Sequence, residues 1–346
     1  MVPVVATNVA ADPSHTVHVK TELMVKEVEV AKTIHANVYD IEISNLLHDL
    51  VLKVDEAHRC NEMLARLSTY DAEEKIPVEI VDFIGNYAPI EIIDKQGLIM
   101  DAAGLVKKAL EGLLKAIQWI IAKLSEIFKF LFNSQYRACK ETLDLQRRVI
   151  TISTNPDTVS KFESTNCSVV QKKDVDDLVF TTQELTQLIA NCSKLDSKEY
   201  VDNLIKTFAA NGKIRIDSEN KLFDDFPDPV ALPNTTFGAA GWTVEGYLTT
   251  ITNYLGTIRG IESLKSISKT VSDEASDLKK RAEEAALKGA GTEDIMKLQK
   301  EAALKIMMTN LMAQTIAISV RRSNSILAFL FSIYKELHKL NSGKSM

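Results

Sequence analysis

From Leu105 to Phe132 the chain reads LVKKALEGLLKAIQWIIAKLSEIFKFLF. Lys108, Glu111, Lys115, Gln118, Ser125 and Lys129 fall three, four or seven residues apart, and Ala122 fills the one gap. That spacing draws a single stripe down an α-helix. Leu110, Leu113, Leu114, Ile117, Ile120, Ile121, Leu124, Ile127, Phe128, Leu131 and Phe132 occupy the remaining circumference. The apolar arc is therefore wide and the polar stripe narrow. A helix over 105–132 would be ~42 Å long at 1.5 Å per residue. It must bury most of its surface in a bundle or lie in a membrane interface.

The same spacing predicts further helices. One is expected from about Glu22 to Leu67, with Val30, Ile34, Val38, Ile41, Leu47, Leu50, Val54, Met63 and Leu67 inward. Pro77 opens a short helix in a mixed connector over 70–103, and Asp101 is placed to cap the central helix. Asn133-Ser134 offers a break. A basic helix is expected from Gln135 to about Ile150, with Tyr136, Cys139, Leu143 and Val149 on one side and Arg137, Lys140, Arg147 and Arg148 as its charges. Asn155-Pro156-Asp157 reads as a turn, and Asp174 to about Cys192 as helix. Asp196 followed by Glu199 resembles a capping box for a helix through Phe208, which Asn211-Gly212 ends.

Pro227, Pro229 and Pro233 exclude helix from the irregular stretch 213–240, where KIRID and KLFDD could pair. Beyond Pro233 no proline occurs. Two long helices are expected, Thr243 to about Leu287 and Glu293 to about Leu340, separated by Gly289-Ala290-Gly291-Thr292. The expected fold is all-α, a long-helix bundle with at most a small β-hairpin near 213–225. The expected organisation is a flexible arm (1–20), an N-terminal helical domain (21–212) containing the central helix, an irregular linker (213–240) and a C-terminal long-helix region (241–346).

Composition agrees with this pattern. Among 346 residues there are only 13 Gly and 8 Pro, and the length suffices for one or two domains with real cores. A net charge of −6 argues against a bulk nucleic-acid condenser while leaving room for a local basic patch. Cys60, Cys139, Cys167 and Cys192 lie far apart with no CxxC pair, and read as buried free thiols in a reducing compartment. The start, MVPVVATNVAADPSHTVHVK, lacks the features of a secretory signal. No run reaches 18 apolar residues, and Arg321-Arg322 interrupts the apolar last helix, so no conventional membrane span is expected.

Candidate chemistry is sparse. His15, His18, His35, His48, His58 and His338 include no HExxH pair or other ligand spacing. His48-Asp49 and Asp55 with His58 read as solvated helix faces. Gly289-Ala290-Gly291-Thr292 lacks the lysine of a phosphate loop, and Glu73-Glu74 and Asp176-Asp177 are ordinary surface pairs. We therefore expect no catalytic residues, no metal site, no cofactor and no enzymatic activity. The central helix keeps two readings. Lys107, Lys108, Lys115, Lys123 and Lys129 beside Trp119 suit a membrane interface. The preferred reading is a core helix with its lysines on the wet side. FLF recurs at 130–132 and 329–331, each ahead of a tyrosine, Tyr136 and Tyr334.

The order of features resembles a known group. A helical N-terminal segment precedes a short acidic, Pro-containing connector. Then come the amphipathic KKALEGLLKAIQWIIAKLSEIFKFLFNS, the basic RACKETLDLQRRV and a mostly helical remainder. This is similar to the virion structural, internal-head proteins of large tailed bacteriophages, most clearly over residues 20–150. The resemblance implies a non-enzymatic capsid-interior protein made in the host cytoplasm and packaged with other virion proteins. It further implies processing after a glutamate such as Glu42 or Glu74 by a prohead protease, and ejection with the genome. It carries no specific nucleic-acid site. The alternatives from other classes are an α-helical pore-forming protein acting on membranes and a helical scaffold or adaptor.

Overall fold

A computed structural model describes residues 43, 45–50, 52–54, 57, 59, 102–192, 197–211, 213–217, 221–288 and 292–343. The arm over 1–20, most of the helix expected from Glu22, the connector up to Asp101, Asp196, Gly212 and the Gly289–Gly291 break lie outside the described residues. The chain divides into two compact units, 1–45 and 46–346. In the first, Ile43 and Asn45 are helical; the elements below belong to the second, where the described residues of 46–59 are also helical.

The fold is mostly α. Its elements are α1 (Ala102–Ser153), α2 (Pro156–Ser164), β1 (Asn166–Val169), α3 (Lys172–Cys192), α4 (Ser197–Asn211), β2 (Ile214–Ile216), β3 (Leu222–Asp224), β4 (Leu232–Thr236), α5 (Val244–Lys288) and α6 (Thr292–Asn341). Helix α1 packs along α5 and α6, which also pack on each other. Helix α3 lies against α5 and α6, and α4 against α6.

Helix α1 runs 52 residues without interruption, so Asn133-Ser134 is no break. Asn and Ser are only modestly poor helix formers, by a few tenths of a kcal/mol. Buried Phe132, Gln135 and Ala138 on either side hold the helix against its neighbours. Asn155-Pro156-Asp157 likewise starts a helix instead of forming a free turn. The Asn155 side chain accepts a hydrogen bond from the Asp157 backbone N at 3.1 Å, and Pro156 occupies the first turn, where its missing N–H is harmless.

The expected hairpin forms as β2–β3, pairing Ile214 with Asp224 and Ile216 with Leu222. A second antiparallel pair, β1–β4, was not expected. It joins Asn166 to Thr236 and Val169 to Leu232. Between Cys167 and Val169 the register shifts, so that β4 carries one residue more than β1. The extra length falls at Pro233, which cannot donate to a ladder, and Asn234, whose φ is +44°. The stretch 213–240, expected as an irregular linker, thus contains three of the four strands among the described residues, and β4 returns to a strand that follows α2.

Aromatic residues anchor the entry to α5. Phe237 stacks on Phe162 with centroids 4.2 Å apart. The turn then closes through Gly241, whose φ of +82° suits glycine, and Trp242 N donates to Phe237 O at 2.8 Å. Trp242 is fully buried and donates its indole N–H to Val170 O at 2.7 Å. Tyr247 and Tyr254, also fully buried, donate their hydroxyls to the carbonyls of Leu330 and Ser323 on α6. Ser323 Oγ in turn donates to Gln135 Oε1 on α1 at 3.1 Å, so one buried network touches all three long helices.

Removing the indole donor should leave Val170 O without this bond and open space in the core. Trp242→Phe should therefore lower unfolding free energy by about 1–3 kcal/mol. Tyr136→Ala, at a position 69% exposed, should change it by no more than about 0.5 kcal/mol. Urea unfolding followed by far-UV circular dichroism compares the two.

Candidate functional site

The central stripe is laid out as its spacing demands. Lys115, Gln118, Ala122, Ser125 and Lys129 are all exposed. Ile120, Leu124, Ile127, Phe128, Leu131 and Phe132 are buried, and Phe128 stacks on Phe132 at 6.2 Å. Ile121 and Trp119 are half-buried. Trp119 lies beneath Lys53 and Lys123, whose ammonium groups sit 5.6 and 5.9 Å from its ring. Lys123 also pairs with Asp49 at 3.6 Å and Glu126 at 3.2 Å. Trp119, Phe128 and Phe132 are therefore largely taken up by packing, and from Lys115 onward the polar stripe faces outward.

The stripe continues beyond Phe132. Asn133, Tyr136, Arg137, Lys140, Asp144 and Arg147 are exposed, and their spacing extends the same line along α1. The reading of Tyr136 as one of the apolar positions of this segment is corrected. It points outward, whereas Val149 is buried and Cys139 and Leu143 are half-buried.

The centre of burial is α6, not the central helix. Every residue from Met308 to Val320 is buried. A helix enclosed all round must satisfy its polar side chains internally. Thr309, Thr315 and Ser319 donate to backbone carbonyls one turn earlier, at 2.6, 2.6 and 3.1 Å. Gln314 donates to Asn310 Oδ1 at 3.1 Å and accepts from the Leu222 backbone N at 2.8 Å, tying β3 to the helix.

About two turns further along α6, Asp224 closes the same junction. Arg322 donates to both its oxygens, at 2.6 and 3.1 Å, and Arg321 to one at 2.9 Å. The side chains of Asp224 and Arg322 are each only 5% exposed, which makes this a buried ion pair. Burial alone pushes the Asp224 carboxyl up. The hydrogen bonds and charge of Arg322, with Arg321 and the Phe226 backbone N–H, outweigh it and hold the pKa below its ordinary value. Arg321-Arg322, read from the sequence as an interruption of an apolar helix, is thus the anchor for a hairpin.

Asp176 accepts from Lys172 and, at 2.7 Å, from Thr250 on α5. His48 and His338 are exposed; His338 lies 5.7 Å from the Tyr334 ring. Cys139 and Cys167 are half-buried free thiols. Burial first, then the charge of Glu336, pushes Cys167 up to about 11, so it stays protonated at neutral pH. Among the described residues no three His, Cys, Asp or Glu side chains group as metal ligands. Comparison with protein-family models, with curated proteins and with solved structures gives no match.

Two outcomes should follow. Leu124→Ala and Phe128→Ala should each destabilise the fold by about 2–5 kcal/mol, whereas Lys115→Ser should shift it by no more than about 0.5 kcal/mol. Paired thermal melts read the contrast.

The second concerns acid. Asp224 has its pKa depressed by folding, so its contribution is fully present above the ordinary carboxylate value and is lost as pH falls through the depressed one. Asp224→Asn should cost about 3–5 kcal/mol at neutral pH, because Arg322 stays buried without its charge partner. The variant should also flatten the acid limb of stability against pH. Urea midpoints measured from pH 7 down to pH 2 test both.

Proposed function

We propose that this chain is a non-enzymatic structural component of a bacteriophage virion, carried inside the head among other virion proteins and made in the host cytoplasm. The observation that supports this best is the use of its side-chain chemistry. Among the described residues, buried Tyr247 and Tyr254 join α5 to α6, Ser323 joins α6 to Gln135 on α1, and Arg322 joins α6 to Asp224 on β3, so that buried polar groups tie helices of 52, 45 and 50 residues to one another and to a short strand. A particle component needs such a frame and an outward face, and no reacting group. The order of an acidic connector, an amphipathic Lys/Trp/Phe helix and a basic helix supplies the particle assignment.

Mass spectrometry of purified virions should find this chain at structural copy number. Its mature N-terminus should follow a glutamate such as Glu42 or Glu74. Particles complete without the chain would overturn the proposal.

A second reading, a membrane-active helical protein, draws on one observation. Between Met307 and Asn341, α6 is long and apolar enough to cross a membrane by length and composition, although more than half of that apolar window is buried inside the protein. Insertion would have to break the Asp224–Arg322 pair and both tyrosine anchors. Dye-loaded anionic vesicles should therefore stay sealed with the native chain at neutral pH. Rapid leakage would favour the second reading over the first.

A further inference from the structure

We propose that the exposed stripe of α1 binds the phosphate backbone of a nucleic-acid duplex without sequence preference. Within Ala102–Ser153 there are nine Lys and Arg against four acids, in a chain whose net charge is −6. Five of these cations, Lys115, Lys129, Arg137, Lys140 and Arg147, are exposed along one line of the helix. None of the five makes an ion pair among the described residues. The two acids on the same line, Glu126 and Asp144, are paired from its margins by Lys123 at 3.2 Å and by Arg148 at 2.7 Å. The exposed line is thus left with uncompensated positive charge; Glu141, exposed on one flank, is the other acid of α1 whose side chain is described.

The geometry selects the partner. From Lys115 to Arg147 the line is ~48 Å long at 1.5 Å per residue. That exceeds one duplex turn of about 34–36 Å, so a duplex lying alongside presents both backbones to it. An anionic membrane would want apolar side chains interleaved with the cations. Here the buried arc of the helix has taken them, and the line carries Ala122 and Tyr136 alone. A single strand would want several aromatic platforms for its bases, and Tyr136 is the one aromatic on the line. Flexible Lys and Arg side chains on a smooth helix face read charge and not base edges. This inference does not rest on the virion reading: a chain absent from particles could still bind duplex.

The test uses the full chain and a labelled random-sequence duplex of about 30 base pairs, followed by fluorescence anisotropy at 50–200 mM salt. Five phosphate contacts give a slope of log K on log salt of about −4.5, a loss of several hundred-fold over that range. Lys140→Gln and Arg147→Gln should each reduce the slope by about 1. The variant with all five positions changed to Gln should lose binding at 50 mM salt while keeping the native circular dichroism spectrum; should it fail to fold, the single-variant slopes decide. Duplexes of unrelated sequence should bind alike. No binding to duplex at 50 mM salt would overturn the proposal. So would single-variant slopes equal to that of the native chain, or binding confined to phosphatidylserine vesicles.

Discussion

Enclosing the middle of α6 is the constraint on which the rest of the structure depends. A helix buried all round keeps its backbone satisfied by its own ladder, yet its side-chain hydroxyls and amides need partners nearby. Thr309, Thr315 and Ser319 find theirs one turn back, and Gln314 reaches the Leu222 backbone. The surrounding elements then have little freedom. The hairpin must sit where Leu222 can donate, and Asp224 must lie where Arg322 can hold it.

The tyrosine anchors follow from the same burial. Tyr247 and Tyr254 bring hydroxyls into an apolar junction, where each is costly without an acceptor. Carbonyls of α6 accept both, and burial raises both hydroxyls above their ordinary pKa, keeping them protonated as donors. These bonds fix the rotation of α5 against α6. The Trp242 indole and the Phe162–Phe237 stack fix where α5 begins.

With the inner faces committed, α1 is left one unburied strip. The strip is basic on an acidic molecule, and its own acids are neutralised from the margins. A surface that is charged, straight and poor in apolar side chains can recognise a charged polymer at low cost, since little needs to be reordered or desolvated. Helix packing thereby decides which chemistry of α1 reaches solvent: its cations do, and most of its aromatics do not.

Much of this was legible in the sequence. The three-and-four spacing of Lys115, Gln118, Ala122, Ser125 and Lys129 gave their exposure correctly, because periodicity is a local property of the helix. Scarce Gly and Pro predicted long helices, and the absence of proline after Pro233 predicted two of them. The tertiary structure decided the remainder. Asn133-Ser134 looks like a break until Phe132, Gln135 and Ala138 are seen to be buried around it. Leu232 to Thr236 contains a proline and reads as loop, but its partner strand lies more than sixty residues earlier. Arg322 reads as an interruption of an apolar helix, because its neutralising carboxylate, Asp224, stands about a hundred positions away. Local spacing records which face a helix turns inward. It holds no record of which distant residue will be waiting there, since that contact comes into being only when the elements pack.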